Sequence, residues 1–325
     1  MNPETISVII PTKNRPTDLE NVVASLLVQT KPPIELLIVD QSEDEESRLR
    51  IERLLAAAQR HPQPLALALR YLRVPFVSGG AAARNLAMDL AQGGIWLFLD
   101  DDVVLEPEFL AALCAAYRAH PEAVGISGVV TNYARPPWLY RCWRALFARG
   151  CFHDDRQGVY WRAQQARHGP VRRVTRLGCG LMSVRAAAVG RVRFDENLTG
   201  VCDGEDVDFC SRLGQDAILL MTPAARLTHC QSAIGRERDH PLRRQVRSDA
   251  YLYRRNWRRR RGARLGFAWL QLGYALAALA ASLRRGTWAP WRALRAGLAD
   301  ARHIAVRGAS SVSVAATVRA PGPTP

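Results

Sequence analysis

The sequence predicts an α/β protein in which a mainly parallel central sheet is flanked by helices. Short apolar runs such as Ile6–Ile10 and Ile95–Leu99 have the length and composition of strands that are buried on both faces. Segments with helical periodicity separate these runs, and that alternation is typical of βαβ units with parallel strands. Polar side chains directly follow several of the strands, at the edge where open α/β sheets bind ligands.

The elements of this pattern follow one another through the first half of the chain. Strands are predicted at Ile6–Ile10, Leu36–Val39, Leu69–Val74, Ile95–Leu99 and Ala123–Val130, and helices at Thr17–Gln29, Glu43–Gln59, Gly80 to about Leu90, and Pro107–Tyr117. Thr17 and Glu20 have the spacing of a capping box, which satisfies free amide groups where a helix begins. Because the ends of parallel strands meet at one edge of a sheet, we expect the segments 12–15, 40–42 and 100–102 to be neighbours.

Three consecutive carboxylates, Asp100, Asp101 and Asp102, follow the strand Ile95–Leu99. Adjacent carboxylates repel one another, and a divalent cation with oxygen ligands is one partner that offsets their charge. A solvated acidic turn before the helix near Pro107 is the alternative interpretation of this stretch taken alone.

Composition limits the partners and the compartment. The net charge of +15 and the pI of about 10.3 indicate an anionic partner, and nucleic acid, anionic lipid and phosphorylated substrates all fit. The seven cysteines are scattered and contain no CxxC pair, which favours a reducing compartment over a disulfide framework or a zinc site. The first residues lack the basic region and apolar core of a secretory signal, so we expect a cytoplasmic protein.

Two nucleotide-binding classes are excluded by missing motifs. No GxGxxG follows the first strand, as a dinucleotide-binding Rossmann domain requires, and no GxxxxGK[ST] motif of a P-loop NTPase is present. The ordered segments that remain are SVIIPTKNRP at 7–16, LLIVDQS at 36–42, GGAAARNLA at 79–87, LFLDDDV at 97–103, LGCGLMSV at 177–184 and GEDVDF at 204–209. Together they resemble the inverting glycosyltransferases of family two, which have the GT-A fold, and the resemblance covers about residues 5–230.

The resemblance implies a donor site for a nucleotide sugar, with a divalent cation, Mn²⁺ or Mg²⁺, as cofactor. Residues that would line the nucleoside pocket or contact the base, ribose or phosphates are Pro11, Thr12, Asn14, Asp40, Arg84, Asp100 and Asp101. Asp102 would bind the metal, and Asp100 would contact the ribose or the metal. Many members have Asp-Asp-x-Ser or Asp-Asn-x-Ser after the second strand, whereas Asp40 is followed directly by Gln41-Ser42. For Arg84, pairing with Asp89 on the same helix is the alternative.

The resemblance also implies a catalytic base. Asp206, with Glu205 beside it, would take the proton from an acceptor hydroxyl as that oxygen attacks the anomeric carbon with inversion. The residues themselves show two carboxylates in the first turn of a predicted helix capped by Asp203 or Gly204, where the helix dipole favours ionised acids. Plain helix capping by acidic residues is therefore the alternative interpretation.

Other site residues are expected from their positions. His229 follows the apolar segment Ala217–Met221 and Leu227. The resemblance implies that a histidine after the catalytic helix can complete the metal site, so His229 is the candidate third metal ligand, with a structural histidine as the alternative. Arg236 and Arg238 would close over the diphosphate or remain a solvated loop. The segment 132–174 mixes aromatic and basic residues, which stack on sugars, contact lipid headgroups or simply pack a helix on the sheet.

The C-terminal part combines arginine-dense and uncharged segments. Leu265–Leu283 carries no charge and falls just short of the ~20 residues that span a bilayer. Its large side chains lie on one helical stripe, Leu265, Trp269, Leu272, Leu276, Leu279 and Leu283. Because arginines flank both ends, a helix lying in the membrane interface or a re-entrant hairpin fits better than a span or a soluble packing helix.

These observations divide the chain into a catalytic domain at 1–235, a membrane-associating helical extension at 236–308 and a disordered tail at 309–325. We expect a metal-dependent hexosyl- or deoxyhexosyltransferase of polysaccharide biosynthesis, acting on a lipid-linked or cell-surface glycan precursor at the cytoplasmic face of the inner membrane. Peripheral contact with anionic membrane is expected, and a specific nucleic-acid partner is not. The alternatives are a catalytically idle GT-A-like protein that binds anionic membrane or nucleic acid, and a nucleotidyltransferase that does not need Asp206.

Overall fold

The computed structural model describes residues 4–60, 67–165, 169–198, 204–232, 234 and 240–304. The strands are β1 Ile6–Thr12, β2 Glu35–Asp40, β3 Ala68–Arg73, β4 Ile95–Leu99, β5 Val103–Leu105, β6 Gly125–Val130, β7 Arg172–Arg173, β8 Leu181–Arg185 and β9 Leu219–His229. The helices are α1 Pro16–Leu27, α2 Glu46–Gln59, α3 Gly80–Leu90, α4 Phe109–Ala119, α5 Trp138–Phe147, α6 Arg156–Gln165, α7 Ala186–Val189, α8 Glu205–Arg212, α9 Pro241–Leu252, α10 Ala263–Arg285 and α11 Ala289–His303.

One mixed sheet organises the molecule, with strands in the order β3-β2-β1-β4-β8-β6-β9-β5 and with β7 paired to β9. Strands β1 to β4 pair with one another in parallel, as the alternating pattern predicts. Beyond β4 the pairing is antiparallel at β4–β8, β6–β8, β5–β9 and β7–β9, and parallel at β6–β9. The predicted α/β class with a central sheet and flanking helices is confirmed.

The centre of the sheet is buried on both faces, because β2 and β4 contain no exposed residue. These strands read as continuous apolar runs in the sequence for that reason. Helices α1, α3 and α4 add their apolar faces to the same core. The ends of β1, β2 and β4 therefore form a rigid edge on which polar loops are fixed.

Two local predictions differ from the structure. Helix α1 begins at Pro16 with Arg15 as its N-cap and no side-chain capping bond, so the capping box at Thr17 is wrong. Proline favours the first helical position because its φ is already helical and it needs no amide partner. The apolar segment 177–184 also predicts a strand, whereas β8 begins only at Leu181, because the preceding glycine-containing segment turns against Asp100 instead of pairing.

The C-terminal helices form a second apolar cluster with α5 and the start of α8. Helix α10 packs on α5, α9 and α11, and Gly273 allows this because a Cβ there would lie 2.4 Å from the Phe147 ring. Asp208 on α8 accepts hydrogen bonds from Arg255 and Asn256. The predicted boundary near residue 235 thus falls between two parts that contact each other directly, and the predicted tail at 309–325 lies outside the described residues.

Candidate active site

A cleft of about 1040 Å³ lies at the polar edge of the sheet and is called the main cleft here. Its walls come from the ends of β1 and β4, the starts of α3, α6 and α8, the turn before β8 and the end of β9. The Thr12 hydroxyl donates to Asp101 at 2.8 Å, and the Asn14 amide donates to Ser42 at 2.7 Å. The predicted convergence of the loops after β1, β2 and β4 is confirmed.

Asp100, Asp102 and His229 form the Asp–Asp–His cluster, in which one potential ligand atom of each residue lies within 4.8 Å of the others. His229 Nε2 lies 2.9 Å from Asp102 Oδ1, and the Ser232 amide donates to Asp102 Oδ2 at 2.9 Å. Burial alone would raise the pKa of Asp102, but the His229 contact, the Ser232 amide and the Arg15 charge hold it below its usual value. Asp102 is therefore kept ionised at the floor of the main cleft.

The donor set of the Asp–Asp–His cluster fits a divalent cation. Carboxylate oxygens suit Mg²⁺ and Mn²⁺, and the imidazole nitrogen of His229 favours Mn²⁺ of the two. Ligands on opposite sides of an ion with bonds of about 2.1 Å are separated by about 4.2 Å. The spacing of up to 4.8 Å thus requires only a small movement of side chains.

Asp101 is not part of this cluster and instead makes buried polar contacts with Thr12 and Arg15. Arg15 Nη1 lies 2.8 Å from Asp101 and 3.8 Å from Asp102, so one guanidinium offsets the charge of both carboxylates. Burial raises the pKa of Asp101 to about 6, although Arg15 and the Thr12 hydroxyl oppose the rise. Asp101 therefore anchors the loop after β4 to the loop after β1.

Arg84 joins the two acidic parts of the main cleft. Its side chain is buried, pairs with Glu205 and donates to Asp100 at 2.9 Å. It does not pair with Asp89, which instead contacts Arg193. Glu205 is itself fully buried, and its contact with Arg84 links it to Asp100.

Asp206 is the more exposed of the two α8 carboxylates that line the main cleft. Its side chain is 17% exposed, compared with 1% for Glu205, and Arg156 Nη1 lies 2.6 Å from its Oδ2. Its other oxygen accepts from the amide of Val207. Arg156 also pairs with Asp154, whose pKa lies well below its usual range because neighbouring arginines outweigh its burial. A hydroxyl group that approaches Asp206 thus meets a carboxylate already oriented by a guanidinium.

The structure places only some of the residues predicted to contact the nucleoside in the main cleft. Pro11, Thr12 and Asn14 line the main cleft, and Asn14 has a positive φ of 55°. Asp40 is fully buried and accepts hydrogen bonds from the Tyr71 hydroxyl at 2.6 Å and from the Ser42 amide. Asp40 does not line the cleft, whereas the next residue, Gln41, does. A base contact by Asp40 would require Tyr71 to release it.

Several residues of the cleft have no counterpart among the predicted site residues. Asp154 and Arg156 lie in the aromatic and basic segment, and the acidic pair in HDDR was the only local signal for them. Gly180 also lines the cleft, and its role follows from three-dimensional contact alone. The predicted diphosphate contacts Arg236 and Arg238, the alternative cap Asp203 and Cys202 lie outside the described residues, and α8 has Gly204 as its N-cap.

We expect Gly180→Ala to weaken cation binding at least tenfold. A Cβ at residue 180 would lie 2.5 Å from Asp100 Oδ2, so the carboxylate must turn out of the Asp–Asp–His cluster. The measurement is calorimetric titration with Mn²⁺, with thermal melting to verify folding. Gly169→Ala is the matched control, since its Cβ would meet Pro223 at an ordinary 3.5 Å. Unchanged Mn²⁺ affinity in Gly180→Ala would mean that Asp100 is not a ligand.

The known proteins that this chain resembles in sequence are glycosyltransferases. The sequence model described as glycosyl transferase family 2 matches residues 7–164. A glucosyl-dolichyl phosphate glucuronosyltransferase of Haloferax volcanii is 26% identical over 144 residues, which are 42% of this chain and 40% of that protein. An uncharacterized glycosyltransferase of Haemophilus influenzae is 31% identical over 102 residues, 31% of this chain and 38% of that protein. The chain thus spans about two fifths of the length of these curated relatives.

A solved structure shows the same fold at greater coverage. The mannosyltransferase PcManGT of Pyrobaculum calidifontis, solved in complex with GDP-Man and Mn²⁺, is 17% identical with a TM-score of 0.55. The match covers 91% of this chain and 85% of that one. At this identity the likeness establishes the fold, which is GT-A. The model of glycosyl transferase family 2 matches residues 7–164, and the predicted resemblance to the glycosyltransferases of family two is confirmed over that segment.

Proposed function

We propose that this chain is a metal-dependent, inverting glycosyltransferase that moves a hexosyl or deoxyhexosyl group from a nucleotide sugar to an acceptor hydroxyl. The observation that carries the proposal is that one cleft contains both the Asp–Asp–His cluster and the Asp206 carboxylate. A GT-A domain that binds ligands without catalysis needs no second acidic centre. A nucleotidyltransferase would leave Asp206 without a role.

The donor half of the site is built to receive a diphosphate. Asp100, Asp102 and His229 would hold Mn²⁺ or Mg²⁺, which acts as a Lewis acid on the leaving nucleoside diphosphate when it is bound. Lys13 and Arg15 line the same cleft and add positive charge on its nucleotide side. Pro11, Thr12 and Asn14, and Gln41 in place of Asp40, are the groups available to the nucleoside.

The acceptor half supplies the base. We assign Asp206 as the residue that accepts the proton from the acceptor hydroxyl as its oxygen forms a bond to the anomeric carbon. The bond from that carbon to the diphosphate oxygen breaks, and the nucleoside diphosphate leaves with the electron pair. Attack from the face opposite the leaving group inverts the anomeric centre. Arg156 orients Asp206, and Glu205 is a positioning residue that acts through Arg84.

The variants Asp206→Asn and Asp102→Asn test the acceptor half and the donor half of the site separately. We expect Asp206→Asn to lower the turnover of a competent donor and acceptor pair by about 10²–10⁴-fold, because the amide cannot accept the proton. The same variant should retain stabilisation by UDP, dTDP or GDP with Mn²⁺ in a thermal-shift screen. Asp102→Asn should lose that Mn²⁺-dependent stabilisation.

The exposed Asp89, which pairs with Arg193 on the surface, gives the control Asp89→Asn with wild-type values in both assays. Wild-type turnover in both active-site variants would reject the assignment. Absence of turnover in the wild type as well as in the variants, together with nucleotide binding by the wild type, would favour the catalytically idle alternative.

We also propose that the protein works at the cytoplasmic face of an anionic membrane, on a lipid-linked or polysaccharide precursor. Within the described residues, α10 is the one helix long and apolar enough to cross a membrane, with a mean hydropathy of 1.4 and only 28% of that window buried. Six large apolar residues of α10 are exposed and form the leucine stripe: Leu265, Trp269, Leu272, Leu276, Leu279 and Leu283. Trp138, Leu139 and Leu146 on α5 extend this surface, and Trp269 Nε1 donates to the Leu146 carbonyl.

A basic cavity adjoins the beginning of the leucine stripe. The cavity is about 690 Å³ in volume, and Arg149, Arg173, Arg176, Arg260 and Arg261 line it with Asp155 as its single carboxylate. Asp155 already accepts hydrogen bonds from Thr175. Apolar surface next to unneutralised arginines is the combination that binds anionic bilayers.

Contacts of α10 with the catalytic part favour a helix that lies on the membrane rather than one that spans it. Trp143 Nε1 donates to the Gly273 carbonyl at 3.0 Å, and the Tyr274 hydroxyl donates to Asp249 at 2.5 Å. A spanning helix would lose both contacts. Because residues 263–285 form one continuous helix, a re-entrant hairpin within this segment is wrong. The free thiols of the six described cysteines suit a reducing compartment.

Flotation with vesicles tests the membrane proposal. We expect the full chain to float with vesicles that contain anionic phosphatidylglycerol and to remain at the bottom with neutral phosphatidylcholine vesicles. Replacing two residues of the stripe, Leu272→Glu with Leu276→Glu, should abolish flotation. Leu49→Glu, at an equally exposed leucine on α2, should not. A wild-type chain that stays at the bottom of the anionic gradient would overturn the proposal.

A further inference from the structure

A second cavity, called the helical cavity here, opens beside the proposed base. It has a volume of about 650 Å³ and is lined by α5, the start of α8, α9 and α10. Asp154, Arg156 and Asp206 line both the helical cavity and the main cleft. A molecule in the helical cavity therefore has access to the same carboxylate that faces the donor site.

One long wall of the helical cavity is a face of α10. Leu270, Tyr274, Ala278, Ala281 and Arg285 line it at spacings of three or four residues. At 1.5 Å per residue, Leu270 to Arg285 covers about 22 Å. This face carries small and apolar side chains, whereas the leucine stripe lies on the exposed side of the same helix. The wall thus offers an apolar path from the active site along the helix that we propose to lie on the membrane.

The helical cavity also contains two guanidinium groups that make no direct ion pair in the part of the chain that the structure describes. Arg144 and Arg176 line it, and neither forms an ion pair with any carboxylate of the described residues. Arg176 donates instead to the carbonyls of Cys151, at 3.1 Å, and His153. The carboxylates of the cavity are already engaged, since Asp154 and Asp206 pair with Arg156.

Asp249, the remaining carboxylate of the helical cavity, accepts hydrogen bonds from Tyr274 and Gln245. Burial and the nearby Arg156 charge lower the pKa of Arg176, although the charges of Asp154, Asp206 and Asp249 oppose this. Two partly buried guanidinium groups without a carboxylate in direct contact favour an anionic ligand, because a buried charge is costly unless it is paired.

We propose that the helical cavity is the acceptor site and that it binds an amphipathic phosphate. The reacting hydroxyl lies at Asp206, and the phosphate contacts Arg144 and Arg176. The apolar part runs along the face of α10 that lines the helical cavity. This inference rests on the proposed transferase function and adds the acceptor class to it. It also assigns the C-terminal helices a direct part in acceptor selection, although they lie outside the segment that matches the family.

The experiment measures binding of octyl phosphate to the full chain by calorimetry, below the micelle concentration of the probe. We expect saturable binding to the wild type, at least tenfold weaker binding of inorganic phosphate, and no measurable binding of octanol. Arg144→Gln should weaken octyl phosphate at least tenfold. Ala281→Phe should do the same, because residue 281 lines the helical cavity and the phenyl ring would fill it.

The neighbouring Ala280 is exposed and does not line the helical cavity, so Ala280→Phe is the matched control with wild-type affinity. Equal affinity of Ala281→Phe and the wild type would overturn the inference, since it would show adsorption to the leucine stripe. Displacement of octyl phosphate by UDP or GDP with Mn²⁺ would also overturn it by placing the probe in the donor site.

Failure of the inference and failure of the proposed function are distinguishable. Binding that depends on Arg144 and Ala281 in a chain without any turnover would leave the cavity assignment standing and reject the transferase. Turnover that Ala281→Phe does not affect, with no binding of octyl phosphate, would reject the cavity as the acceptor site and leave the transferase in place.

Discussion

The buried contact of Arg84 with Glu205 and Asp100 fixes the geometry on which the whole site depends. A guanidinium buried to 2% exposure is tolerated only when its charge is paired, so both carboxylates must remain in place around it. Arg84 belongs to α3, Glu205 begins α8, and Asp100 follows β4. One ion-pair network thereby holds the proposed base helix against the proposed cation ligands. Loss of either carboxylate would leave a buried charge and loosen both halves together.

Similar ion pairs occur across the cleft, where three arginines contact six carboxylates and offset part of their charge. Their contacts are Arg15 with Asp101 and Asp102, Arg84 with Asp100 and Glu205, and Arg156 with Asp154 and Asp206. The repulsion among the three consecutive acids is thus partly offset by the protein itself. A cation at the Asp–Asp–His cluster would be needed for the donor diphosphate more than for the stability of the acidic loop.

The parts of this site that follow buried strands are predictable from the sequence. A strand buried on both faces leaves a continuous apolar run, and the acids Asp100 to Asp102 directly follow one. His229 was expected from the resemblance to the family, and it is the last residue of β9. Asp154 and Arg156 are not predictable in this way, because Asp154 precedes and Arg156 begins a helix without clear amphipathic periodicity. Arg156 reaches Asp206 only through tertiary packing. The engagement of Asp40 by Tyr71 and the contact of Gly180 with Asp100 likewise depend on approach between distant segments.

The central claim is that the Asp–Asp–His cluster holds the donor cation within the cleft that contains Asp206. The most direct measurement is the anomalous scattering of Mn²⁺ in crystals grown with Mn²⁺ and a nucleoside diphosphate. The account predicts a strong peak at about 2.1 Å from an Asp102 oxygen and His229 Nε2, in contact with the diphosphate. A bound nucleotide whose Mn²⁺ lies on other residues, or a cluster that stays free of Mn²⁺ while nucleotide is bound, would contradict it.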